Sequence, residues 1–172
     1  MVALERLNIK NNTPEWLAFR NTGIGGSDAG TIMGLSTWKT SYELWEEKTG
    51  RKQPKDLSEN LAVKYGINAE DYLFKLFALD YPEYDVLSTK DFVFKRGFAF
   101  ASLDGELIEK ETGRKGFLEI KTTEIRSAVA EKKWTDDTIP YNYYCQILHY
   151  FMVLQYDFCI LKAQIKYRDK NG

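Results

Sequence analysis

The stretch "GFLEIKTT" holds a Glu119-Ile120-Lys121 triplet among apolar and β-branched residues that are typical of a strand. Because alternate side chains of a strand share a face, Glu119 and Lys121 point the same way, while Ile120 faces the core. Asp104 lies fifteen residues before Glu119, in the β-rich stretch "FAFASLDGELIE". A hairpin that turns within "KETGRKG" would pair the two strands and bring Asp104 beside Glu119.

Two carboxylates on adjacent strands, with the Ile120 carbonyl between them, form an oxygen-rich site of the kind that Mg²⁺ or Mn²⁺ prefers. The sequence therefore predicts Asp104, Glu119 and the Ile120 carbonyl as metal ligands. Lys121 would orient or activate an attacking water, and the whole set suits phosphodiester hydrolysis. The structural alternative is a strand with one wet face, preceded by an Asp-Gly turn.

A second group of residues surrounds the glycines of "GIGGSDAG", which follow the helical stretch "PEWLAFRNT". No Lys-Ser/Thr pair follows the glycines, and Asp28 stands where a dinucleotide fingerprint needs its third glycine. Gly26 and Ser27 instead open a short helix whose first amides attract anions, and Arg20 can add a bidentate contact. The structural alternative is a joint between two helices, capped by Ser27 or Asp28.

The order Asp104, Glu119-x-Lys121 resembles the PD-(D/E)xK nuclease pattern, with Leu103 in place of the proline. The stretch "GIGGSDAGTIMGLSTWKTSYELWEEKTG" is similar to the N-terminal signature of the YqaJ-type viral recombinase family, the relatives of phage lambda exonuclease. The resemblance extends from about residue 16 to residue 166. It implies a restriction-endonuclease-like fold and a Mg²⁺-dependent 5′→3′ exonuclease that degrades linear double-stranded DNA in phage-type recombination. It also implies a ring-shaped trimer and a single-strand annealing partner.

The resemblance assigns further roles. Glu70 resembles the family's helix glutamate, which reaches the metal site from the side and assists catalysis. Gln146 and Tyr150, four residues apart on one helix face, resemble its Q-x-x-x-Y pair, with Gln146 contacting phosphate and Tyr150 in support. The terminal 5′-phosphate of the DNA would be held by Arg20, Gly26, Ser27 and Ser102. An ordinary charge on an amphipathic helix and a satisfied core glutamine are the structural alternatives for Glu70 and Gln146.

Composition limits the other possibilities. The chain has 172 residues, of which 44% are hydrophobic, and a formal net charge of −1. This predicts a single nuclease domain over residues 1–172, with any DNA-binding charge confined to a local patch. No membrane-length apolar run or signal peptide is visible, which predicts a cytoplasmic location, and the family resemblance implies that the cell is a bacterial host. Cys145 and Cys159 lack metal-site spacing and are predicted to be buried thiols, so the iron–sulfur branch of this fold is unsupported. His149 is predicted to serve packing or the surface.

The element pattern predicts an α/β sandwich with a central mixed sheet flanked by helices. Three or four strands are expected within residues 85–123, and one more over 157–169. Helices are expected over residues 14–22, 27–33, 42–50, 61–79, 127–134 and 141–155. The chain stops directly after the last predicted strand, which indicates a short variant or a truncated chain.

Two other functions fit part of this pattern. An endonuclease of the same superfamily would share the metal site but would have no use for a pocket that binds a 5′ end. A catalytically inactive DNA-end-binding module would keep the pocket alone. The complete set of Asp104, Glu119 and Lys121 favours an enzyme.

Overall fold

The computed structural model describes residues 2–135 and 137–167, and the strands in these ranges form two four-stranded sheets. The strands are β1 Glu5–Asn8, β2 Ile24–Gly25, β3 Tyr84–Leu87, β4 Phe92–Arg96, β5 Ala99–Ala101, β6 Gly105–Glu109, β7 Lys115–Ile125 and β8 Phe158–Tyr167. The helices are α1 Pro14–Arg20, α2 Gly26–Ile32, α3 Ser41–Lys48, α4 Leu61–Asp80, α5 Ala128–Glu131 and α6 Tyr141–Leu154, with a 3₁₀ turn over Lys132–Trp134.

Both sheets are mixed. The first has the order β1-β4-β5-β2, and its short strand β2 runs parallel to β5. The second has the order β3-β6-β7-β8, and the long edge strand β8 runs parallel to β7. Strands β6 and β7 form the antiparallel hairpin predicted from the sequence, with Gly105 opposite Leu118. This register puts Asp104, the residue before β6, opposite Glu119.

The chain crosses from the first sheet to the second through three residues, Ser102, Leu103 and Asp104. We call this segment the crossing segment. Leu103 is 1% exposed, and its carbonyl accepts a 2.6 Å hydrogen bond from the hydroxyl of Thr89, which is itself fully buried. The crossing segment is therefore anchored in the core at its middle residue, while Ser102 and Asp104 stay partly accessible on either side.

The side chains of β7 alternate between the two faces of the strand, and a helix packs against each face. Leu118 and Ile120 pack with Leu73 and Phe77 of α4 in one apolar cluster. Phe117 faces the other way, into a cluster with Ile147, Tyr150, Val153 and Leu154 of α6. Glu119 and Lys121 follow Phe117 on that second face and so point toward α6.

The predicted fold class is confirmed, with two differences in detail. The strands divide between two sheets where the sequence indicated one, and five strands lie between residues 84 and 125 where three or four were expected. Strands β1 and β2 were missed, because β1 is mostly exposed and polar and β2 has only two residues. The last strand is described to Tyr167, and the remainder of the range predicted for it lies outside the described residues. Within the described residues, no helix combines the length and apolarity needed to cross a membrane.

The first residue of α2, Gly26, has no room for a side chain. A Cβ atom on Gly26 would lie 2.2 Å from Cε1 of Tyr150 and 3.0 Å from Cγ of Gln146. We expect Gly26→Ala to lower the free energy of unfolding by about 1–3 kcal/mol, the usual cost of overpacking a core. Chemical denaturation followed by circular dichroism measures this.

The matched control is Gly66→Ala in the interior of α4. The new Cβ atom would approach only the Thr122 hydroxyl, at 3.3 Å. Alanine is favoured over glycine in a helix by about 0.8–1.0 kcal/mol, so this variant should be neutral or more stable. Equal stability of the two variants would show that the contact with Tyr150 does not constrain residue 26.

Candidate active site in the cleft beside the crossing segment

The centre of the site is the buried carboxylate of Glu119, which is 2% exposed. Its Oε1 atom lies 2.5 Å from the Lys121 ammonium and accepts a 2.6 Å hydrogen bond from the Gln146 amide. Its Oε2 atom is also buried and has no hydrogen-bond partner among the described residues. One oxygen of this carboxylate is thus satisfied by protein groups, and the other has no partner among the described residues.

Asp104 completes a carboxylate pair with Glu119. Its Oδ2 atom accepts a 2.6 Å hydrogen bond from the backbone amide of Ile120, which holds the side chain against β7. Burial, followed by repulsion from Glu119, raises the pKa of Asp104 from 3.8 to about 7. Burial also raises the pKa of Glu119, although Lys121 opposes this. A cation bound beside the two acids would therefore lower their pKa values and favour their ionised forms.

Lys121 is held as a cation by the same pair. Burial alone would lower its pKa, but the Glu119 and Asp104 carboxylates outweigh this effect and raise the pKa above its ordinary value. The ammonium also donates a 3.2 Å hydrogen bond to the side-chain carbonyl of Gln146. Lys121 is accordingly a hydrogen-bond donor and a source of positive charge, not a free base.

Gln146 and Tyr150 connect β7 to the crossing segment. Gln146, which is 9% exposed, donates from one amide nitrogen to Glu119 and, at 3.1 Å, to the Tyr150 hydroxyl. The Tyr150 hydroxyl in turn donates a 2.8 Å hydrogen bond to the backbone carbonyl of Ser102. These contacts form a continuous polar chain from Lys121 to Ser102.

An open cleft of about 420 Å³ lies beside this chain of contacts. Of the residues predicted from the sequence, it is lined by Arg20, Gly26, Ser27, Glu70, Ser102, Asp104 and Tyr150. Glu119, Lys121, Gln146 and Ile120 do not line it directly and reach it through Asp104 and Tyr150. The structure therefore brings the predicted carboxylates and the predicted anion-binding residues to one cleft.

The anion-binding end of the cleft carries a preformed contact between Arg20 and Ser27. The Arg20 guanidinium donates a 3.0 Å hydrogen bond to the exposed hydroxyl of Ser27 and lies 4.8 Å from the centre of the Trp16 ring. The Trp16 indole donates a 3.2 Å hydrogen bond to the hydroxyl of Ser102. Arg20, Ser27 and Ser102 thus form one connected group around Trp16.

Asp28 fixes the turn that presents this group. Its carboxylate is 5% exposed, accepts a 2.9 Å hydrogen bond from the amide of Gly25, and pairs with Lys48 at 2.7 Å. Lys48 also donates to the carbonyls of Arg20, at 2.5 Å, and Gly23, at 2.9 Å. Asp28 therefore caps α2 from its third residue, and Ser27, the other predicted cap, is left free to face the cleft.

Glu70 lies on α4 and also lines the cleft. Burial and the nearby Asp104 raise the pKa of Glu70 from 4.5 to about 7, against the influence of Lys90. Its Oε1 atom is 3.7 Å from the Lys90 ammonium. Within residues 2–135 and 137–167, no three His, Cys, Asp or Glu side chains converge as a ready-made metal cluster. Glu70 is therefore close to the carboxylate pair without being joined to it.

Sequence reasoning missed several residues of the cleft, namely Lys10, Asn11, Asn12, Trp16 and Lys90. Trp16 could have been found, since it precedes Arg20 by one helical turn and shares its face. Lys90 and the Lys10–Asn12 segment come from connections without any periodic pattern. Their approach to the cleft depends on the tertiary fold.

The remaining candidates have structural surroundings. The His149 ring lies 3.0 Å from the carbonyl of Phe100, is 8% exposed, and has its pKa lowered by burial. Cys145 and Cys159 are free thiols that are only partly buried, where the sequence predicted full burial. The shortfall reflects their positions, since Cys145 lies on α6 next to the exposed Tyr144, and Cys159 lies on the edge strand β8.

The sequence of this chain is similar to that of a known protein family. The family model of the YqaJ-like viral recombinase domain matches residues 15–157. The "Uncharacterized protein YqaJ" of Bacillus subtilis (strain 168) is 37% identical over 160 residues, which cover 86% of this chain. The chain belongs to the YqaJ-like viral recombinase family. The family predicted from the sequence is thereby confirmed, and the YqaJ-like chain spans 44% of the length of that relative.

Solved structures share the fold of this YqaJ-like chain. The crystal structure of an alkaline exonuclease, LHK-Exo, from Laribacter hongkongensis superimposes with a TM-score of 0.64 at 16% identity. The match covers 89% of this chain and 74% of that one. The complex of LHK-Exo with dAMP gives a TM-score of 0.57 at 16% identity, over 93% of this chain and 76% of that one. At this identity the likeness establishes the restriction-endonuclease-like fold.

The carboxylate pair of the YqaJ-like chain fits a divalent cation. The Oε2 atom of Glu119 is a buried acceptor that no donor in the described part of the chain satisfies, and such groups are costly without a partner. Asp104 lies opposite it, and both side chains offer only oxygen. Mg²⁺ typically binds one or two carboxylates and completes its shell with water and substrate phosphate, so a preformed cluster of three acids is not required.

The raised carboxylate pKa values predict how pH changes the stability of the metal-free protein. Asp104 and Glu70 titrate near 7 in the folded chain, against 3.8 and 4.5 for their ordinary values. The folded state therefore binds more protons than the unfolded state between about pH 4 and pH 7. We expect the free energy of unfolding to fall as the pH rises through this range, as measured by urea denaturation in EDTA.

Asp104→Asn should flatten this dependence, because an amide cannot titrate. Asp85→Asn is the control, since Asp85 is an exposed carboxylate on β3 that pairs with Lys110. A wild-type protein that gains stability steadily from pH 4 to pH 7 would contradict the assignment.

Proposed function

We propose that this domain is a metal-dependent exodeoxyribonuclease that degrades linear double-stranded DNA in the 5′→3′ direction during phage-type recombination. The observation that carries the proposal is the meeting, in one cleft, of Asp104 with the Arg20–Ser27–Ser102 group. Asp104 belongs to the carboxylate pair proposed for hydrolysis, and the Arg20–Ser27–Ser102 group suits a terminal phosphate. The family match and the fold shared with an alkaline exonuclease support the same conclusion.

Asp104, Glu119 and the Ile120 carbonyl would hold Mg²⁺, with Mn²⁺ as a substitute, and Glu70 would assist from α4. The bound cation would stabilise the charge that develops on the attacking and leaving oxygens of the phosphodiester. Lys121 would donate a hydrogen bond to the attacking water or to a phosphate oxygen. Gln146 keeps that ammonium in place through its side-chain carbonyl, 3.2 Å away, and contributes to the phosphate environment.

The other end of the cleft would select the DNA end. A terminal 5′-phosphate carries more charge than an internal one and continues into only one nucleotide. The Arg20 guanidinium, the Ser27 hydroxyl and the Ser102 hydroxyl can donate to it, with the amides of Gly26 and Ser27 at the start of α2 in support. The Tyr150 hydroxyl accepts from Gln146 and donates to the Ser102 carbonyl, and so joins the buried carboxylate centre to the crossing segment.

The proposal also includes the substrate, the oligomeric state, the partner protein and the cellular location. The substrate is double-stranded DNA, and a dAMP complex of the alkaline exonuclease LHK-Exo is consistent with a nucleotide-binding cleft in this fold. A ring-shaped homotrimer would encircle the duplex, and a single-strand annealing protein would receive the exposed strand. Action on DNA of this kind belongs in the cytoplasm of the bacterial host.

Digestion of end-labelled linear DNA tests the reaction. With Mg²⁺, the wild-type protein should release a 5′ label early and a 3′ label late, and EDTA should stop both. Asp104→Asn and Glu119→Gln should abolish cleavage, because the metal supplies several kcal/mol of transition-state stabilisation. Asp85→Asn, on the surface of β3, should leave the rate unchanged.

Relaxed circles of the same plasmid provide the opposing test. Rapid conversion of circles into linear fragments would favour an endonuclease of this superfamily. Tight binding of DNA ends without any cleavage by the wild-type protein would favour an inactive end-binding module. Cleavage in EDTA would refute metal dependence outright.

Substrates with 5′-phosphate and 5′-hydroxyl ends test the anion-binding group. A hydrogen bond to a charged group contributes about 1.5–3 kcal/mol, so Arg20→Ala should slow degradation of phosphorylated ends roughly tenfold or more. Ser27→Ala should act in the same direction with a smaller effect. Arg51→Ala is the matched control, because Arg51 also stacks on a tryptophan, Trp45, at 4.5 Å, but does not line the cleft. Equal slowing of both substrates would show that Arg20 does not recognise the end.

A further inference from the structure

Lys90 lies between two carboxylates of α4 that differ in their surroundings. Its ammonium is 3.7 Å from Oε1 of Glu70 and forms a closer ion pair with Asp71. Glu70 and Lys90 both line the cleft with Asp104, whereas Asp71 does not and has a side chain that is 60% exposed. One cation is thus shared between a cleft carboxylate and a solvent carboxylate.

The backbone at Lys90 is held in place while its side chain is free to move. The Lys90 carbonyl accepts a 2.8 Å hydrogen bond from the amide of Asn11, and the buried Thr89 precedes it. The lysine side chain is 37% exposed, so its flexible stem can favour either carboxylate without a change in the loop. Among the described residues, Glu70 forms no other ion pair.

We propose that Lys90 is an exchangeable counter-charge for Glu70. When no divalent cation is bound, it shares its charge between Glu70 and Asp71, and it pairs with Asp71 alone when a cation at Asp104 and Glu119 attracts the Glu70 carboxylate. Lys90 is therefore a positioning residue whose ion pair competes with the metal, and Asp71 is the site that receives it. The inference rests on the proposed metal-dependent function.

The opposing interpretation is that Lys90 only ties its loop to α4. The two interpretations predict different signs for metal affinity. If Lys90 competes with the metal, Lys90→Met frees Glu70 and tightens metal binding. Asp71→Asn removes the alternative partner, keeps Lys90 on Glu70 and weakens metal binding. A structural tie would make both variants weaken binding, or leave both without effect.

Isothermal titration of the metal-free chain with MnCl₂, in the absence of DNA, measures this directly. We expect Lys90→Met to lower the Kd for Mn²⁺ by about threefold to fivefold, in keeping with the strength of a partly exposed ion pair. Asp71→Asn should raise the Kd by a similar factor, and Lys90→Arg should stay close to the wild type. The double variant should lie close to Lys90→Met, because the exchange proposed for Asp71 requires Lys90 and the direct effect of the Asp71 charge on Glu70 is smaller than that of Lys90.

Lys10→Met is the matched control for general electrostatics. Lys10 also lines the cleft, but no ion pair of Lys10 with Glu70 is present among the described residues. Thermal melts of every variant in EDTA separate metal binding from folding. If Lys10→Met tightens Mn²⁺ binding as much as Lys90→Met, or if the double variant is simply additive, the counter-charge proposal is overturned. Wild-type protein that binds no Mn²⁺ would instead overturn the metal site itself, together with the counter-charge.

Discussion

The burial of one carboxylate governs the arrangement of this domain. Glu119 sits in the middle of β7, at 2% exposure, where an ionised acid is costly unless protein or metal groups surround it. Lys121 and Gln146 satisfy one of its oxygens, and the other is open to a cation. Strand β7 must therefore carry the lysine two residues later on the same face, and α6 must place a glutamine directly over it.

Helix α6 joins this buried centre to the side of the cleft that carries Arg20, Ser27 and Ser102. Gln146 and Tyr150 extend the polar contacts from Glu119 to the Ser102 carbonyl, and the Tyr150 ring lies against Gly26 at the start of α2. The paired glycines therefore have a packing role that holds whether or not a phosphate is bound. Close packing and anion binding are compatible, since the absence of a side chain at residue 26 serves both.

How well the sequence predicts each contact of this site depends on how far apart the two residues lie along the chain. Asp104 and Glu119 belong to one hairpin, so strand alternation and turn position were sufficient to pair them. The contact between Gln146 and Glu119 spans 27 residues and was not predicted, because the resemblance indicated only a phosphate contact for Gln146 and the helical pattern only the face that it shares with Tyr150. Lys90 approaches Glu70 from an irregular connection, for which no periodicity exists. The division into two sheets was missed because the crossing segment, Ser-Leu-Asp, contains no proline or glycine to mark a break.

The crossing segment has a mechanical consequence. Ser102 and Asp104 are separated by one residue, so covalent geometry limits the distance between them to about two residue steps of an extended chain, roughly 6.6–6.8 Å. Most other spacings in the cleft are set by helix and sheet packing, which loosens with temperature or mutation. Bond lengths do not loosen in this way. A destabilised variant can therefore lose the close packing of the cleft while Ser102 and Asp104 stay within this covalent limit of each other.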